Sequence, residues 1–282
     1  MSGAGAPGAG AAGAPAGSYD PAAMPGGLDG EVARLEHQAA LAWPEERRLL
    51  AELGLGGPAL PGRVLELGCG PGSFTARLAE LVPADRLTGV DHDPALLARA
   101  RARVPGASFG EGSATALPFP DASFDAAVTR LVLQHLPDPA AAVAELARVV
   151  RPGGLVAAID VDGGLWGVAE PFSPELAAAQ GKVWRAQRGR GGDRMIGRRL
   201  YRLLAGAGLQ QVALRPYAYH SDELGLAAFE PVLSPEALLP AVEDGTLSLA
   251  EYGAVVAGHE RFRSDPDAFV LLVGLLAAGR RA

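Results

Sequence analysis

The sequence predicts an α/β protein built on a doubly wound sheet, and two observations lead there. The first is a succession of short apolar strands and helix-periodic stretches between Val64 and Asp162, the pattern of chained βαβ units. The second is the segment Val64-Leu65-Glu66-Leu67-Gly68-Cys69-Gly70-Pro71-Gly72-Ser73. There an apolar strand runs into three glycines spaced two apart, and Phe74, Leu78, Leu81 and Val82 then follow with helical spacing. Glycines allow a sharp turn and the approach of a ligand that would otherwise meet a Cβ. The free N–H groups of the helix start face that ligand, so the loop is expected to cradle a nucleotide-like molecule.

The dehydrogenase fingerprint G-x-G-x-x-G, which seats a pyrophosphate on the helix N-terminus, fits only in its first two glycines. Position six is Ser73, Gly72 comes one residue early, and Glu66 stands two residues before the first glycine. A carboxylate there repels a pyrophosphate and attracts an ammonium or sulfonium. The segment resembles the first motif of the class I S-adenosylmethionine-dependent methyltransferases, an acidic residue followed by G-x-G-x-G. On that resemblance Glu66, Gly68, Cys69, Gly70 and Gly72 form the cofactor loop.

The remaining elements follow in order. Leu87-Thr88-Gly89-Val90-Asp91 is a second strand ending in an acid 19 residues past Gly72, a spacing at which a carboxylate accepts bonds from ribose hydroxyls. His92 follows and is expected near the adenosine. Asp93-Pro94 opens a helix, with a capping acid and a proline in the first turn. Phe109 to Phe119 resembles the family's adenine-lining loop, which places Ser113, Ala114 and Thr115 at the base, with Ser113 where the family often has Asp. Ser123 to Arg130 resembles the fourth strand and implies Arg130 at the cofactor. Leu146 to Gly154 resembles the helix and turn before the fifth strand, Leu155 to Asp162, which reads as buried on both faces. The resemblance covers about residues 60 to 162. It implies a seven-stranded, Rossmann-like methyltransferase fold whose last strand is antiparallel, with N-terminal helices and helical lid insertions.

Composition agrees. The 282 residues, 49% hydrophobic, suffice for one medium α/β domain. A net charge of −7 and a pI near 5.3 argue against general nucleic-acid binding. Cys69 is the single cysteine, so no disulfide forms within the chain and a reducing cytoplasm is the expected setting. The sole lysine is Lys182, and Ala178 stands four residues before it, so the Tyr–Lys pair of a short-chain dehydrogenase is absent. Residues 1–17 are Gly, Ala and Pro apart from Met1 and Ser2 and read as a disordered tail. Residues 18–57 read as N-terminal cap helices, on which the resemblance places Gln38 near the methionine part of the cofactor; a solvated helix-face glutamine is the alternative. Residues 58–162 read as the cofactor-binding core, 163–200 and 222–265 as a helical lid, and 201–221 with 266–282 as C-terminal strands completing the sheet. The run from Ala268 to Ala278 is too short to span a bilayer.

Seven arginines (185, 188, 190, 194, 198, 199 and 202), opposed in sequence only by Asp193, read either as a grip for a carboxylate or phosphate or as a solvated face. For a base near neutral pH, the candidate is His135, which follows the fourth strand; His259, on the second lid block with Glu260, and His220, after the Tyr217-x-Tyr219 pair, are weaker ones. Asp160 and Asp162 lack the further Asp-Asn pair of metal-dependent relatives, so no metal is expected. The expected function is methyl transfer from S-adenosylmethionine to a small-molecule acceptor. The expected target is a hydroxyl, enol or phenol oxygen of a secondary metabolite such as a polyketide, with carbon or nitrogen methylation left open. Two rivals are a sulfonium-binding protein without transferase activity and a nicotinamide oxidoreductase. No membrane or nucleic-acid partner is expected, and a monomer and a homodimer are both compatible with the sequence.

Overall fold

The computed structural model describes residues 18–58, 60, 62–165 and 167–282; the tract 1–17, read above as disordered, lies outside the described residues. Eight strands form one sheet: β1 (Val64–Leu67), β2 (Leu87–Asp91), β3 (Ser108–Glu111), β4 (Phe124–Arg130), β5 (Val150–Asp160), β6 (Gly167–Glu170), β7 (Gln210–His220) and β8 (Phe269–Arg280). β1 pairs in parallel with β2 on one side and with β4 on the other, and β3 and β5 extend the two flanks in parallel. The chain therefore winds outward from β1 to β3, returns, and winds the other way from β4. Ligands of such sheets bind beyond the carboxyl ends of the strands at that reversal.

β8 runs antiparallel to β5, and β7 antiparallel to β8. β6 departs from the seven-strand expectation. It lies in the block expected to be helical lid, yet Leu271 and Leu272 of β8 pair with β6 as well as with β7. β5 ends at Asp160, opposite Leu275, and β6 takes the edge of β8 that β5 leaves bare.

Among the described residues ten α-helices accompany the sheet: α1 (Gly27–Glu52), α2 (Ser73–Leu78), α3 (Pro94–Arg103), α4 (Pro139–Val149), α5 (Pro174–Gly189), α6 (Leu200–Gly206), α7 (Ser221–Leu224), α8 (Glu230–Leu233), α9 (Leu239–Glu243) and α10 (Leu249–Ser264). α1 occupies most of the residues read above as N-terminal cap helices. Local signals start many of them. Asp93 accepts the Ala95 and Leu96 amides ahead of α3, Asp138 that of Ala141 ahead of α4, and Ser173 that of Leu176 ahead of α5, each followed by a proline at the first helical position. Ser248 and Glu251 close a reciprocal capping box on α10. Among the described residues no helix is long and apolar enough to cross a membrane.

Alternation along the central strands divides the core into two layers. Leu65, Leu67, Ala127 and Val156 meet Val143, Leu146, Leu200 and Leu204 from α4 and α6 on one face. Val64, Ala126, Val128 and Ile159 meet Trp43 and Leu50 of α1 and Phe74 and Leu78 of α2 on the other. Each fully buried Leu, Ile or Phe contributes about 1.5–3 kcal/mol, so these two layers hold the strand ends in place. β7 reaches past the ends of the parallel strands, and its Tyr217 lies across Gly274 of β8: a Cβ there would stand 2.2 Å from the Tyr217 Cζ. Gly274→Ala should displace that ring and cost about 1–3 kcal/mol. Thermal unfolding should register a midpoint roughly 3–10 °C lower; an unchanged midpoint would show that the ring gives way freely.

Candidate functional site

The loop Gly68–Gly72 turns from β1 into α2 with Gly68, Gly70 and Gly72 all at positive φ, where a side chain is strained. Gly68 and Gly72 also carry a spatial demand, a Cβ on Gly72 standing 3.0 Å from the Ala100 Cα. A Cβ on Gly68 would lie 2.2 Å from Val132 Cγ2, so this glycine lets the turn after β4 pack directly on the loop. A Cβ on Gly70 would meet nothing within 4 Å, so the backbone there opens onto free space.

Asp91 closes the loop from the end of β2. Its Oδ2 accepts the Gly70 amide at 2.8 Å, and its Oδ1 accepts the Asp93 amide at 3.0 Å and faces His92 Nδ1 at 3.3 Å. Burial works against ionisation, but the bonds from His92, Asp93 and Gly70 outweigh it and hold Asp91 below its usual pKa. It stays an anion with lone pairs to spare. His92 is mostly exposed and is drawn towards protonation by its hydrogen bond to Asp91. Beyond it, Ser113 and Thr115 are exposed with their hydroxyls 3.1 Å apart, in a turn whose Gly112 amide bonds to the Asp91 carbonyl. Ala114 is partly buried against the core. Loop, acid and turn thus line one edge of the sheet, as the sequence placed them.

Glu66 departs from the electrostatic expectation. It is 3% exposed, and its Oε2 accepts the Thr75 hydroxyl at 2.5 Å. Burial raises its pKa to about 8, so at neutral pH it is mostly a neutral acid rather than a standing charge. A cation arriving at the loop would favour its ionisation. Cys69 is buried, and burial pushes its thiol pKa well up, which leaves it without thiolate character at neutral pH.

Arg130, at the end of β4, is buried against Phe74, its Cζ 5.3 Å from the ring centre. Its Nε donates to both Glu46 oxygens, at 3.0 and 2.9 Å, and its Nη2 to the Gln38 carbonyl at 3.2 Å. Tyr217 also donates to Glu46, at 2.7 Å. The Gln38 side chain makes no hydrogen bond among the described residues; its carbonyl does the work. Glu46 escaped the sequence reading because it sits in Pro44-Glu45-Glu46-Arg47-Arg48, which looks solvated, and only its complete burial distinguishes it.

The two histidines part company. His135 lies in the turn after β4, 3.3 Å from Ser18 Oγ and 3.4 Å from Gln187 Nε2 through its Nδ1, with the Tyr19 ring 5.1 Å away. Burial first, and then the charges of Arg194 and Arg34, push its pKa down to about 3. His259, on α10, faces Glu230 of α8 at 3.3 Å and makes no hydrogen bond to the glycine loop or to the turn after β4 among the described residues. Four arginines of the block are paired with carboxylates. Asp193 takes Arg188 and Arg199, Asp244 takes Arg190, and Asp162 takes Arg198. Asp160 serves the Gln134 and Val161 amides.

The comparisons with known proteins agree with this geometry. Residues 65–158 match the family model described as a methyltransferase domain. The segment from β1 into β5 thus resembles the class I S-adenosylmethionine-dependent methyltransferases. A demethylmenaquinone methyltransferase of Roseiflexus castenholzii is 40% identical over 113 residues, 39% of this chain and 48% of the relative. A trans-aconitate 2-methyltransferase of Methylobacterium radiotolerans is 35% identical over 183 residues, 64% of this chain and 62% of the relative. The chain thus spans less than two thirds of either. A solved methyltransferase of Thermotoga maritima shares the fold at a TM-score of 0.51 and 18% identity, covering 90% of this chain and 95% of that one.

S-adenosylmethionine is the cofactor of this class, and the residues present suit it. Gly70 leaves room for a ligand, Asp91 offers hydrogen-bond acceptors, and the buried Ser73 Oγ beside the loop has no partner. Asp91→Ala should weaken S-adenosylhomocysteine binding about 10- to 100-fold by calorimetry, the loss of a charged acceptor being worth about 1.5–3 kcal/mol; unchanged affinity would take Asp91 out of the site. A second expectation concerns pH. The fold holds Glu66 protonated up to about pH 8, above its ordinary 4.5, so its contribution to stability is complete below about pH 4.5 and is lost as pH rises through 8. Asp160, raised by burial to about 7, acts in the same sense. Glu66→Gln should therefore flatten the fall of the thermal midpoint between pH 5 and 9 while leaving the Asp160 part; an unaltered slope would mean that Glu66 is ionised in the fold.

Proposed function

We propose that the protein transfers a methyl group from S-adenosylmethionine to an oxygen of a small organic molecule. The observation that carries this reading is the juxtaposition of the Asp91-closed loop with the turn Leu131–His135, which packs on Gly68 through Val132. A cofactor on the loop would present its far end to that turn. The bound sulfonium supplies an activated methyl group. The chain's own residues then have to orient the acceptor, keep water away and see to its proton.

Burial of the turn supports the oxygen. His135 is a neutral ring at any pH above about 3 and takes a proton poorly, whereas an effective base has a pKa near the working pH. An acceptor that ionises with little help, such as a phenol, an enol or a carboxylic acid, suits this environment better than an ammonium group that must first be stripped of a proton. The relatives named for demethylmenaquinone and trans-aconitate support a small organic acceptor. A secondary metabolite is one such molecule and stays within the proposal.

Release of S-adenosylhomocysteine with a panel of phenols, enols and carboxylic acids tests the reading. Turnover is expected with at least one of these oxygen acids and not with amines of similar shape. His135→Ala should lower kcat by less than tenfold with cofactor affinity intact; a loss of about 10²-fold or more is the mark of a true base and would reinstate His135 in that role. Cofactor binding without turnover on any acceptor would favour a sulfonium-binding protein with no transferase activity.

A further inference from the structure

Four segments distant in sequence meet over the ends of β4 and β5. Ser18 donates its amide to the His135 carbonyl at 2.9 Å, Gln187 donates to the Gln134 carbonyl at 3.1 Å, and the Asp193 amide donates to the same carbonyl at 2.7 Å. Arg194 enters at this point. Its Nη1 donates to Gln134 Oε1, while its Nε is buried and has no hydrogen-bond partner. An unpaired donor on a buried cation is costly, so something is missing from this arrangement.

The shape of what is missing can be read from other arginines in the chain. Arg34, Arg148 and Arg198 each grip a carboxylate side-on through Nε and Nη2, with distances of 2.6–2.8 Å. On Arg194 that same edge makes no hydrogen bond among the described residues. The carboxylates around it are engaged elsewhere. Asp160 binds two backbone amides, Asp162 is held by Arg198, Asp193 by Arg188 and Arg199, and Glu31 by Arg34 and Tyr19. None of them forms an ion pair with Arg194.

We infer that the free Nε–Nη2 edge of Arg194 binds a carboxylate of the methyl acceptor. Side-on pairing supplies two parallel charge-assisted bonds and fixes the plane of the bound group. The ligand's identity as acceptor rests on the methyltransferase reading above; its chemistry rests on Arg194 itself. Lodged beside the turn that packs on Gly68, an acceptor anchored there is held close to the cofactor loop, and Arg194 selects acids over their neutral analogues. Arg188, Arg190, Arg198 and Arg199, already paired with carboxylates, act as its frame.

Calorimetry with benzoate and succinate, each against its amide, tests this on the protein with and without S-adenosylhomocysteine. At least one carboxylate should bind the wild type about tenfold or more tightly than its amide. Arg194→Gln should erase that preference. Arg194→Lys, which keeps the charge but loses the side-on edge, should retain only part of it. No preference in the wild type, or an undiminished one in Arg194→Gln, overturns the inference. If Arg194→Gln does not fold, an undiminished preference in Arg194→Lys overturns it equally. Failure of S-adenosylhomocysteine to bind at all would count against the methyltransferase reading instead, and the carboxylate titration without it still reports on Arg194.

Discussion

The buried pair between Arg130 and Glu46 is the constraint on which the site depends. Arg130 ends β4, Glu46 lies on α1, and Tyr217 of β7 bonds to the same carboxylate, so one interaction joins three elements at the carboxyl edge of the sheet. Removing one member of such a pair leaves an uncompensated interior charge and typically costs about 3–5 kcal/mol. Its position explains why α1 crosses the strand ends instead of standing away as a separate unit. With α1 so held, Arg34, Glu31 and Tyr19 are carried over the turn after β4, where burial lowers His135 and raises Tyr19.

Interior charges at this edge are otherwise suppressed or matched. Glu66 and Asp160 are shifted upward by burial and His135 downward, each towards its neutral form. The remaining carboxylates meet arginines or amides. Against that background Arg194 stands out, since it keeps a donor edge with no partner where its neighbours have been neutralised. A region so arranged is poor at proton transfer and suited to orienting a ligand that brings its own charge.

How much was legible follows the range of the interaction. The loop, Asp91 and the Ser113 turn were readable because short-range backbone chemistry dictates them: glycine at positive φ and an acid at a strand end within reach of the loop amide. β6 was not, since Gly167–Glu170 carries no strong strand pattern and pairs only because β5 stops short of β8's length. The burial of His135 and the pairing of His259 with Glu230 come from elements remote in sequence and had no local signal. The arginine block looked like one feature in sequence, and four of its members go separately to Asp162, Asp193 and Asp244 once folded.

The sequence by itself determined the winding of the sheet, the place of the cofactor loop and the acid that closes it, because strand patterning, glycine spacing and capping act over a few residues. Only the tertiary structure decided that Glu66 is neutral, that Glu46 completes Arg130, and that the buried Nε of Arg194 has no hydrogen-bond partner among the described residues. Protonation and pairing depend on desolvation, and desolvation is set by elements remote in sequence, as with Glu46 and Arg130, 84 residues apart, which no local pattern encodes.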